Sequence, residues 1–294
     1  MSGPRSIMTV PANRADMLEK APRYGADALI FDLEDSVPVT EKPKARALAA
    51  EYIERHKAVT GCYVRVNALD TGMTAEDIDA IAVDGLVGVK LPKTESADMI
   101  HAVDAMLTAA EKKRGLPAGS IGIDVGLESA KGVWFAYEIL SASKRVHSVM
   151  IGTAQDGDLQ TDLGYTWSAE GREVLYARSR VLLAARAAGV EHALDGAYSN
   201  VRDPAGLRIC CEAARRLGYR GKSAIHPGQI AIINEIFRPT EQETGYYRRV
   251  IAAFDDAVAR GSAATTVDGK LVDYAMVGMA RRVLAWAENL KDAK

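Results

Sequence analysis

The sequence predicts an α/β protein in which eight strand–helix units close into one barrel, followed by a small C-terminal helical appendage. Short apolar runs rich in branched residues recur, and each is followed by a polar turn and a longer segment with apolar residues three and four positions apart. Neighbouring runs lie about 30 residues apart, the length of one such unit. Eight units favour a closed (β/α)8, or TIM, barrel over an open doubly wound sheet. No GxGxxG or GxxxxGKS pattern follows a run, which weakens the doubly wound alternative further.

The apolar runs define the predicted strands, at residues 7–10, 28–31, 63–66, 87–91, 121–125, 148–151, 191–194 and 223–225. Three intervening helices are well marked, at residues 40–55, 96–114 and 170–188, and Gly189 is a typical C-terminal cap for the last. Residues 229–237 follow the eighth strand, and beyond them we expect a helix at 241–260, a turn at 268–270 and a final helix from Tyr274. The predicted domains are a catalytic barrel at 1–238 and a helical extension or lid at 239–294.

Composition and charge exclude several classes of protein. The 294 residues are 48% hydrophobic and 26% charged, which suits a large buried core and disfavours a disordered chain. The formal charge of −2 gives no positive excess for binding a phosphate backbone, and no segment approaches the roughly 20 apolar residues that cross a bilayer. The three cysteines form no CxxC pattern, and the N-terminus has no apolar leader. We therefore expect a cytoplasmic protein that binds neither nucleic acid nor membranes.

Polar side chains follow every predicted strand. In a parallel barrel the carboxyl ends of the strands meet at one rim, where active sites lie. Any one such residue also fits a solvated turn, but their convergence on one rim favours a functional site. The residues are Pro11, Asn13, Arg14, Asp32, Glu34, Asp35, Arg65, Asn67, Lys93, Glu128, Asp156, Asp158, Asp195 and His226.

Arg65 lies within the apolar strand CYVRVNA, so we expect its guanidinium group to be partly buried and to need a partner. One interpretation is a salt bridge to a neighbouring carboxylate such as Glu34. The other is a two-nitrogen grip on the carboxylate of a substrate. Both can hold, in the free and the bound protein respectively.

Acidic residues crowd the same rim. FDLEDSVP places Asp32, Glu34 and Asp35 within four residues, and such crowding raises carboxyl pKa values unless a cation intervenes. A helix cap explains Asp35 but not the other two. Glu128 and the aspartates near position 157 are candidate Mg²⁺ ligands, since two carboxylates with open positions suit this ion. Glu128 also fits a carboxylate at a helix N-terminus. The five histidines are scattered, which disfavours zinc.

Several longer motifs follow one another through the chain, namely RSIMTVPANRADMLEKA, FDLEDSVP, YVRVNA, VGVKLPKTES, GLESAKGV, LGYRGKSAIHPGQI and VDGKLVD. Together they resemble the CitE-like branch of the HpcH/HpaI aldolase and citrate lyase family, almost from end to end. The resemblance implies a Mg²⁺-dependent TIM-barrel lyase that reversibly cleaves a 3-hydroxyacyl-CoA of the malyl-, methylmalyl- or citramalyl-CoA kind. The products are an acyl-CoA thioester and a small 2-oxo acid. The resemblance also implies a homotrimer or homohexamer.

The resemblance assigns roles to individual residues. Arg65 matches the family's carboxylate-binding arginine, and Glu128 and Asp158 match its metal ligands. Glu34 and Asp35 match an acidic pair that holds metal-bound water and the arginine.

Other assignments by resemblance are less direct. The family commonly has a glycine three residues before its second metal ligand, whereas Gly152 lies six before Asp158, which leaves Asp156 as a rival ligand. Asp273, in VDGKLVD, matches an acid or base that a neighbouring subunit lends to the site. In the condensing direction we expect it to remove the proton α to the thioester. Arg14 and Lys20 match residues near the CoA phosphates.

Three other functions fit the same sequence. One is the β subunit of a citrate lyase, which acts on a citryl-acyl carrier protein within a larger assembly. Another is a pyruvate-dependent aldolase that needs no CoA, and the third is a metabolite-binding barrel without catalysis. A requirement for a thioester, or copurification with partner subunits, distinguishes these functions.

Overall fold

The structure, a computed structural model, describes residues 3–290 and divides into two compact units, Gly3–Glu235 and the segment that begins at Ile236. The first unit contains eight parallel strands: β1 (Ser6–Pro11), β2 (Ala28–Asp32), β3 (Gly61–Arg65), β4 (Leu86–Leu91), β5 (Gly122–Leu127), β6 (Val146–Ile151), β7 (His192–Asp195) and β8 (Gly221–Ala224). The strands follow one another in chain order, and β1 pairs with β8 to close a barrel. The predicted (β/α)8 barrel is confirmed.

Helices connect the strands of the barrel, and a further helix follows β8. They are α1 (Ala15–Lys20), α2 (Lys42–His56), α3 (Thr74–Ile81), α4 (Ala97–Arg114), α5 (Ala130–Trp134), α6 (Ala136–Leu140), α7 (Asp158–Leu163), α8 (Leu175–Ala187), α9 (Pro204–Leu217) and α10 (Ile230–Ile236). Helices α2 and α4 lie within two residues of their predicted bounds. No helix within residues 3–290 is long and apolar enough to cross a membrane.

Helix α8 begins at Leu175, although the periodicity predicted a start at residue 170. Ser168 donates its backbone N–H and its hydroxyl to the two carboxylate oxygens of Glu173, at 2.7 and 2.8 Å. Gly171, with φ +64°, lies between them in a conformation that other residues rarely adopt. These contacts close residues 168–173 into a turn, so the start of the predicted helix is a loop.

Gly221 opens β8, two residues before the predicted start of this strand. Glycine is depleted in strands because it has no side chain to pack. At this position a Cβ would lie 2.3 Å from the carbonyl oxygen of Arg5. Lys222 donates its backbone N–H to the same oxygen at 2.8 Å. The close approach of β1 and β8 that completes the barrel therefore requires glycine.

Alternate side chains of the strands fill the barrel. Ile30 of β2, Tyr63 of β3 and Leu194 of β7 belong to one buried apolar cluster, and side chains from such separate strands meet inside the barrel. Residues two positions apart on a strand share a face. Asp32 and Arg65, which end β2 and β3, therefore lie on the inner face and at the rim.

A polar layer continues the inner face on the neighbouring strands. Lys90 of β4 pairs in register with Arg65 and with Asp124 of β5. Its Nζ lies 3.4 Å from Oδ2 of Asp124, whose Oδ1 accepts a hydrogen bond from Ser148 at 2.9 Å. Lys90 and Asp124 are both buried. Charges inside the barrel are thus paired with one another.

The second unit contains two helices and a hairpin. Its elements are α11 (Glu241–Ala259), β9 (Thr265–Val267), β10 (Lys270–Val272) and α12 (Tyr274–Asn289). Asp268 and Gly269 both have positive φ, as a two-residue turn between antiparallel strands requires. Val250 and Phe254 of α11 pack with Val272. The sequence predicted the turn and both helices but not the two short strands.

Candidate active site

Arg65 is anchored at the rim by Asp32. Its Nε donates to Oδ1 of Asp32 at 2.6 Å and its Nη2 donates to Oδ2 at 2.8 Å. The two residues are register partners on β3 and β2, and Asp32 has no exposed surface. Burial raises the pKa of Asp32, but the hydrogen bonds and charge of Arg65 outweigh burial and lower it overall. Asp32 is therefore an ionised anchor that fixes the plane of the guanidinium group.

Glu34 bridges Arg65 and Lys93. Oε2 of Glu34 lies 2.9 Å from Nη1 of Arg65, an ion pair without hydrogen-bond geometry. Oε1 accepts a hydrogen bond from Nζ of Lys93 at 2.9 Å. Burial raises the pKa of Glu34 to about 7, against the opposing charges of Arg65 and Lys93. A carboxyl group with this pKa can gain or lose a proton near neutral pH. The predicted salt bridge from Arg65 to Glu34 is present, and Asp35 lies farther away, 3.5 Å from Nη1.

Lys42 holds the loop that carries Glu34. This buried ammonium group donates to the carbonyl oxygens of Leu33 and Glu34 at 2.7 and 3.1 Å, and to the side-chain oxygen of Asn67. A buried cation with three oxygen acceptors is satisfied without a carboxylate. Lys42 thus fixes the backbone of the acidic loop from the side of α2.

Glu128 follows β5 and is partly exposed. No donor among residues 3–290 makes a hydrogen bond to its carboxylate. Burial raises its pKa, while the positive charges of Lys90, Arg65 and Lys93 lower it. Glu128 therefore brings an unpartnered carboxylate to the part of the rim that holds Arg65.

Two glycines make space for the Glu128 side chain. A Cβ on Gly126 would lie 2.6 Å from Oε1 of Glu128. A Cβ on Gly152, which follows β6, would lie 2.9 Å from Cγ of Glu128, and all three of its nearest atoms belong to that residue. The small residues on both sides explain how the glutamate fits between two strand ends.

Asp158 begins α7 and is exposed. Its Oδ2 lies 3.8 Å from Nζ of Lys93, and its charge raises the pKa of Glu128. Asp156 is also exposed, with φ +59°, and within the described part of the chain it makes no ion pair. Its backbone N–H donates to the side chain of Gln160 at 2.8 Å. The structure therefore brings Asp158, rather than Asp156, to the acidic cluster.

The donor set fits Mg²⁺. Glu128 supplies a carboxylate with no protein donor, and Asp158 supplies an exposed one. Mg²⁺ commonly binds one or two protein carboxylates and keeps several waters. In the described range, no group of three or more His, Cys, Asp or Glu side chains could hold a metal, so the donor set of a structural zinc site is absent there.

The remaining predicted residues make contacts of their own. Arg14 is exposed and pairs with Asp16, with Nε and Oδ1 3.0 Å apart. Lys20, in the last turn of α1, is also exposed. Asp273 lies in the second unit, where its Oδ1 caps α12 by accepting from the backbone N–H groups of Ala275 and Met276, at 2.9 and 3.2 Å.

Asp195 does not face the rim, and the prediction that it joins the site is wrong. It pairs in register with Lys222, whose Nζ donates to Oδ2 at 2.6 Å. Arg178 of α8 donates to both carboxylate oxygens at 3.1 Å. Successive strand residues point to opposite faces. Since Leu194 lines the barrel, Asp195 faces the helices, where its charge is fully paired.

His226 has a structural role in the short turn after β8. It is exposed, and its Nδ1 accepts a hydrogen bond from the backbone N–H of Gly228 at 3.1 Å. This bond caps the 3₁₀ turn Pro227–Gln229. The structure shows no contact between His226 and the acidic cluster among the described residues.

Lys93 is the rim residue to which the sequence assigned no role. It contacts Glu34, Asp35 and Asp158, at 2.9, 3.4 and 3.8 Å. Its φ of +49° is uncommon for a residue with a side chain and costs on the order of 1 kcal/mol or more. Its position in the LPK motif, directly after a strand, could have indicated a role in the site, but a single lysine at that position also fits a solvated turn.

Comparison with known proteins places this site in a family. The sequence model of the family described as HpcH/HpaI aldolase/citrate lyase matches residues 5–227. The citrate lyase subunit beta of Leuconostoc mesenteroides subsp. cremoris is 39% identical over 99% of this chain and 96% of its own length. A (3S)-malyl-CoA thioesterase of Cereibacter sphaeroides is 36% identical over 97% of this chain and 95% of its own length. The crystal structure of CitE from Mycobacterium tuberculosis with magnesium, acetoacetate and coenzyme A matches with a TM-score of 0.75 and 31% identity, over 98% of each chain. The chain therefore belongs to the HpcH/HpaI aldolase/citrate lyase family.

Proposed function

We propose that this protein is a Mg²⁺-dependent lyase that reversibly cleaves a 3-hydroxyacyl-CoA of the malyl-, methylmalyl- or citramalyl-CoA kind into an acyl-CoA and a 2-oxo acid. The observation that carries the proposal is the unpartnered carboxylate of Glu128 beside Arg65 at the barrel rim. The related CitE of Mycobacterium tuberculosis has been crystallised with magnesium and, in different crystals, with pyruvate, oxaloacetate or coenzyme A. These ligands are the two halves of such a reaction.

Glu128 and Asp158 are the residues that would hold Mg²⁺, and the bound ion supplies a Lewis acid for the carbonyl group of the 2-oxo acid. Arg65 contributes one nitrogen to the site. Its Nε and Nη2 are bonded to Asp32, so the two-nitrogen grip expected from the sequence does not fit this geometry. Nη1 is the nitrogen that would meet a substrate carboxylate, in place of Glu34.

Glu34 and Lys93 form a proton-exchanging pair next to that position. A substrate carboxylate on Arg65 would compete with Glu34 for Nη1, and a glutamate with a pKa of about 7 can take up a proton as it is displaced. Lys93 then remains a positive charge beside Asp158. In this way the residues would accommodate an additional anion without an unpaired buried charge.

Asp273 is the proposed base for the carbon next to the thioester. Its Oδ1 accepts the two capping hydrogen bonds of α12, and Oδ2 has no hydrogen bond within residues 3–290. In the family pattern that Asp273 matches, a neighbouring subunit lends this aspartate to the site. Asp273→Asn should lower kcat much more than it raises KM, because the change removes proton transfer rather than binding.

The test is an assay of the purified protein with Mg²⁺ and malyl-, β-methylmalyl-, citramalyl- and citryl-CoA, with the released 2-oxo acid measured by a coupled dehydrogenase. Glu128→Gln should lower turnover by about a thousandfold and abolish Mg²⁺ binding in calorimetry, without changing the melting temperature. Glu138→Gln, at an exposed position of α6, is the matched control. Wild-type turnover in Glu128→Gln would refute the metal site.

Two relatives suggest different products, so the assay must distinguish them. The citrate lyase subunit beta of Leuconostoc mesenteroides favours a citryl thioester as substrate, and an acyl carrier protein then replaces CoA. The malyl-CoA thioesterase of Cereibacter sphaeroides favours hydrolysis, which releases the hydroxy acid and free CoA without carbon–carbon cleavage. Release of a 2-oxo acid from malyl-, β-methylmalyl- or citramalyl-CoA by the isolated chain supports the proposal over both. Activity on free hydroxy acids without a thioester would indicate a pyruvate-dependent aldolase.

A further inference from the structure

The loop that carries Asp158 has little support from buried side chains. It connects β6 to α7, and the buried residues on either side of it are Thr153 and Leu159. Residues 154–158 are partly or fully exposed. A segment with few buried contacts opens readily unless hydrogen bonds hold it. The position of Asp158 therefore depends on how the start of this loop is fixed.

Thr153 joins the start of the loop to the ion cluster behind the barrel wall. This threonine is buried, and its hydroxyl group donates to Oδ1 of Asp195 at 2.9 Å. The acceptor is a buried carboxylate that is also paired with Arg178 and Lys222. Hydrogen bonds to an ionised acceptor are stronger than those between neutral groups. Because two cations fix Asp195, it gives Thr153 a rigid point of attachment.

Further contacts hold the backbone of Thr153. Nε1 of Trp167 donates to the carbonyl oxygen of Thr153 at 3.2 Å. The indole ring packs against the buried ring of Tyr198, with the ring centroids 5.5 Å apart. Gly196 lies close to the preceding peptide, because a Cβ at this position would be 2.6 Å from the backbone nitrogen of Thr153. Thr153 is thus held through its side chain and through both adjoining peptide groups.

Thr153 also lies between the two candidate metal ligands in the structure of the rim. It follows Gly152, which borders the side chain of Glu128, and it precedes Asp158 by five positions. A displacement of Thr153 would therefore change the separation of the two carboxylates. Residues that orient metal ligands typically influence metal affinity by about tenfold to a hundredfold.

We propose that Thr153 is a positioning residue, which fixes the Asp158 loop by tying it to Asp195 on the helical side of the barrel wall. The inference rests on the proposed function, because that function assigns Mg²⁺ to Glu128 and Asp158. In this role Thr153 acts through Asp158 and not on the substrate. Its hydroxyl group transmits to the rim the rigidity of an ion cluster that lies outside the barrel.

The experiment compares Thr153→Val with Thr153→Ser in the full-length protein. Valine has the shape of threonine without its hydroxyl group, whereas serine keeps the donor. Asp195 keeps both cations in the valine variant, so the protein should remain folded. We expect Thr153→Val to weaken Mg²⁺ binding in calorimetry about tenfold, and Thr153→Ser to bind Mg²⁺ like the wild type. Thr244→Val is the matched control, since it removes a hydroxyl group that donates to a carbonyl oxygen within α11, and it should leave Mg²⁺ affinity unchanged.

Hydrogen exchange of the metal-free protein, followed by mass spectrometry, measures the loop itself. Amides of residues 153–163 should exchange about fivefold faster in Thr153→Val than in the wild type or Thr153→Ser, while those of α2 exchange alike in all three. If the wild type binds Mg²⁺, unchanged exchange in Thr153→Val would overturn the inference alone, and so would faster exchange with unchanged Mg²⁺ affinity. A wild-type protein that binds no Mg²⁺ would overturn the proposed metal site, and this inference with it.

Discussion

Gly152→Ala gives a direct test of the space around Glu128. The added Cβ would lie 2.9 Å from Cγ, 3.3 Å from Cβ and 3.4 Å from Cα of Glu128. Carbon atoms prefer separations of about 3.5–4.0 Å, so the glutamate must move by roughly half an ångström or more. Since φ of Gly152 is not positive, the backbone itself accepts alanine. The strain therefore falls on one side chain.

The magnitude follows from this crowding. Overpacking of this kind typically costs about 1–3 kcal/mol. Metal sites tolerate shifts of only about 0.2 Å in ligand distance. Glu128 can relieve the strain only by leaving its position, so we expect Mg²⁺ affinity to fall by about tenfold to a hundredfold, which corresponds to roughly 1.4–2.8 kcal/mol.

The assay is isothermal titration of the purified protein with Mg²⁺, together with a thermal melt. Gly278→Ala is the control, because its Cβ would meet nothing within 4 Å and the residue lies in helix α12. It should leave Mg²⁺ binding unchanged and stabilise the helix by about 0.5–1 kcal/mol. A folded Gly152→Ala protein with wild-type Mg²⁺ affinity would show that Glu128 is not a ligand in this position.

Three further predictions concern charges in and behind the barrel. Lys222→Met should lower the free energy of unfolding in urea by about 2–4 kcal/mol, since it removes one of the two cations bonded to the buried Asp195; an unchanged urea midpoint would contradict this. Burial raises the pKa of Glu111, but two hydrogen bonds from Arg145 and backbone donors lower it overall to about 2. A carboxyl group with a lowered pKa stabilises the fold at pH values above its normal pKa of 4.5, and this stabilisation is lost as the pH falls toward 2. Glu111→Gln should therefore lower the free energy of unfolding by about 2 kcal/mol at pH 7, and the stability of this variant should fall less steeply at acid pH. Arg65→Lys loses the paired bonds to Asp32 and should lower kcat/KM about a hundredfold while the protein stays folded; a smaller effect in the coupled assay would mean that orientation of this cation is unimportant.

The fold was predictable because the barrel repeats one simple pattern. Eight apolar runs of even spacing give eight strands, and each predicted run overlaps an observed strand. Errors arose where a contact between distant segments decides the outcome. Gly221 belongs to β8 because of the carbonyl oxygen of Arg5, and the turn before α8 depends on Ser168 and Glu173. Neither interaction leaves a periodic signal.

The site was predictable in part. Position at or just after the end of a strand identified Arg65, Glu34 and Glu128, and the structure places them within one charged cluster. The same argument failed for Asp195. Neighbouring residues of a strand point to opposite faces of the barrel wall, and a run of apolar residues does not show which of them point inward. Lys42 was missed because its helical position suggests an ordinary surface lysine, and only the folded chain shows the oxygens around it.

The buried ammonium group of Lys42 has a consequence for ligand entry. Fixing a flexible backbone costs about 1–2 kcal/mol per residue in conformational entropy. Leu33 and Glu34 are tethered by that lysine in the unliganded fold, so their ordering belongs to the folding of the chain. An incoming acid therefore meets a stretch of peptide that is already immobile, and its interaction energy is not consumed in freezing that stretch.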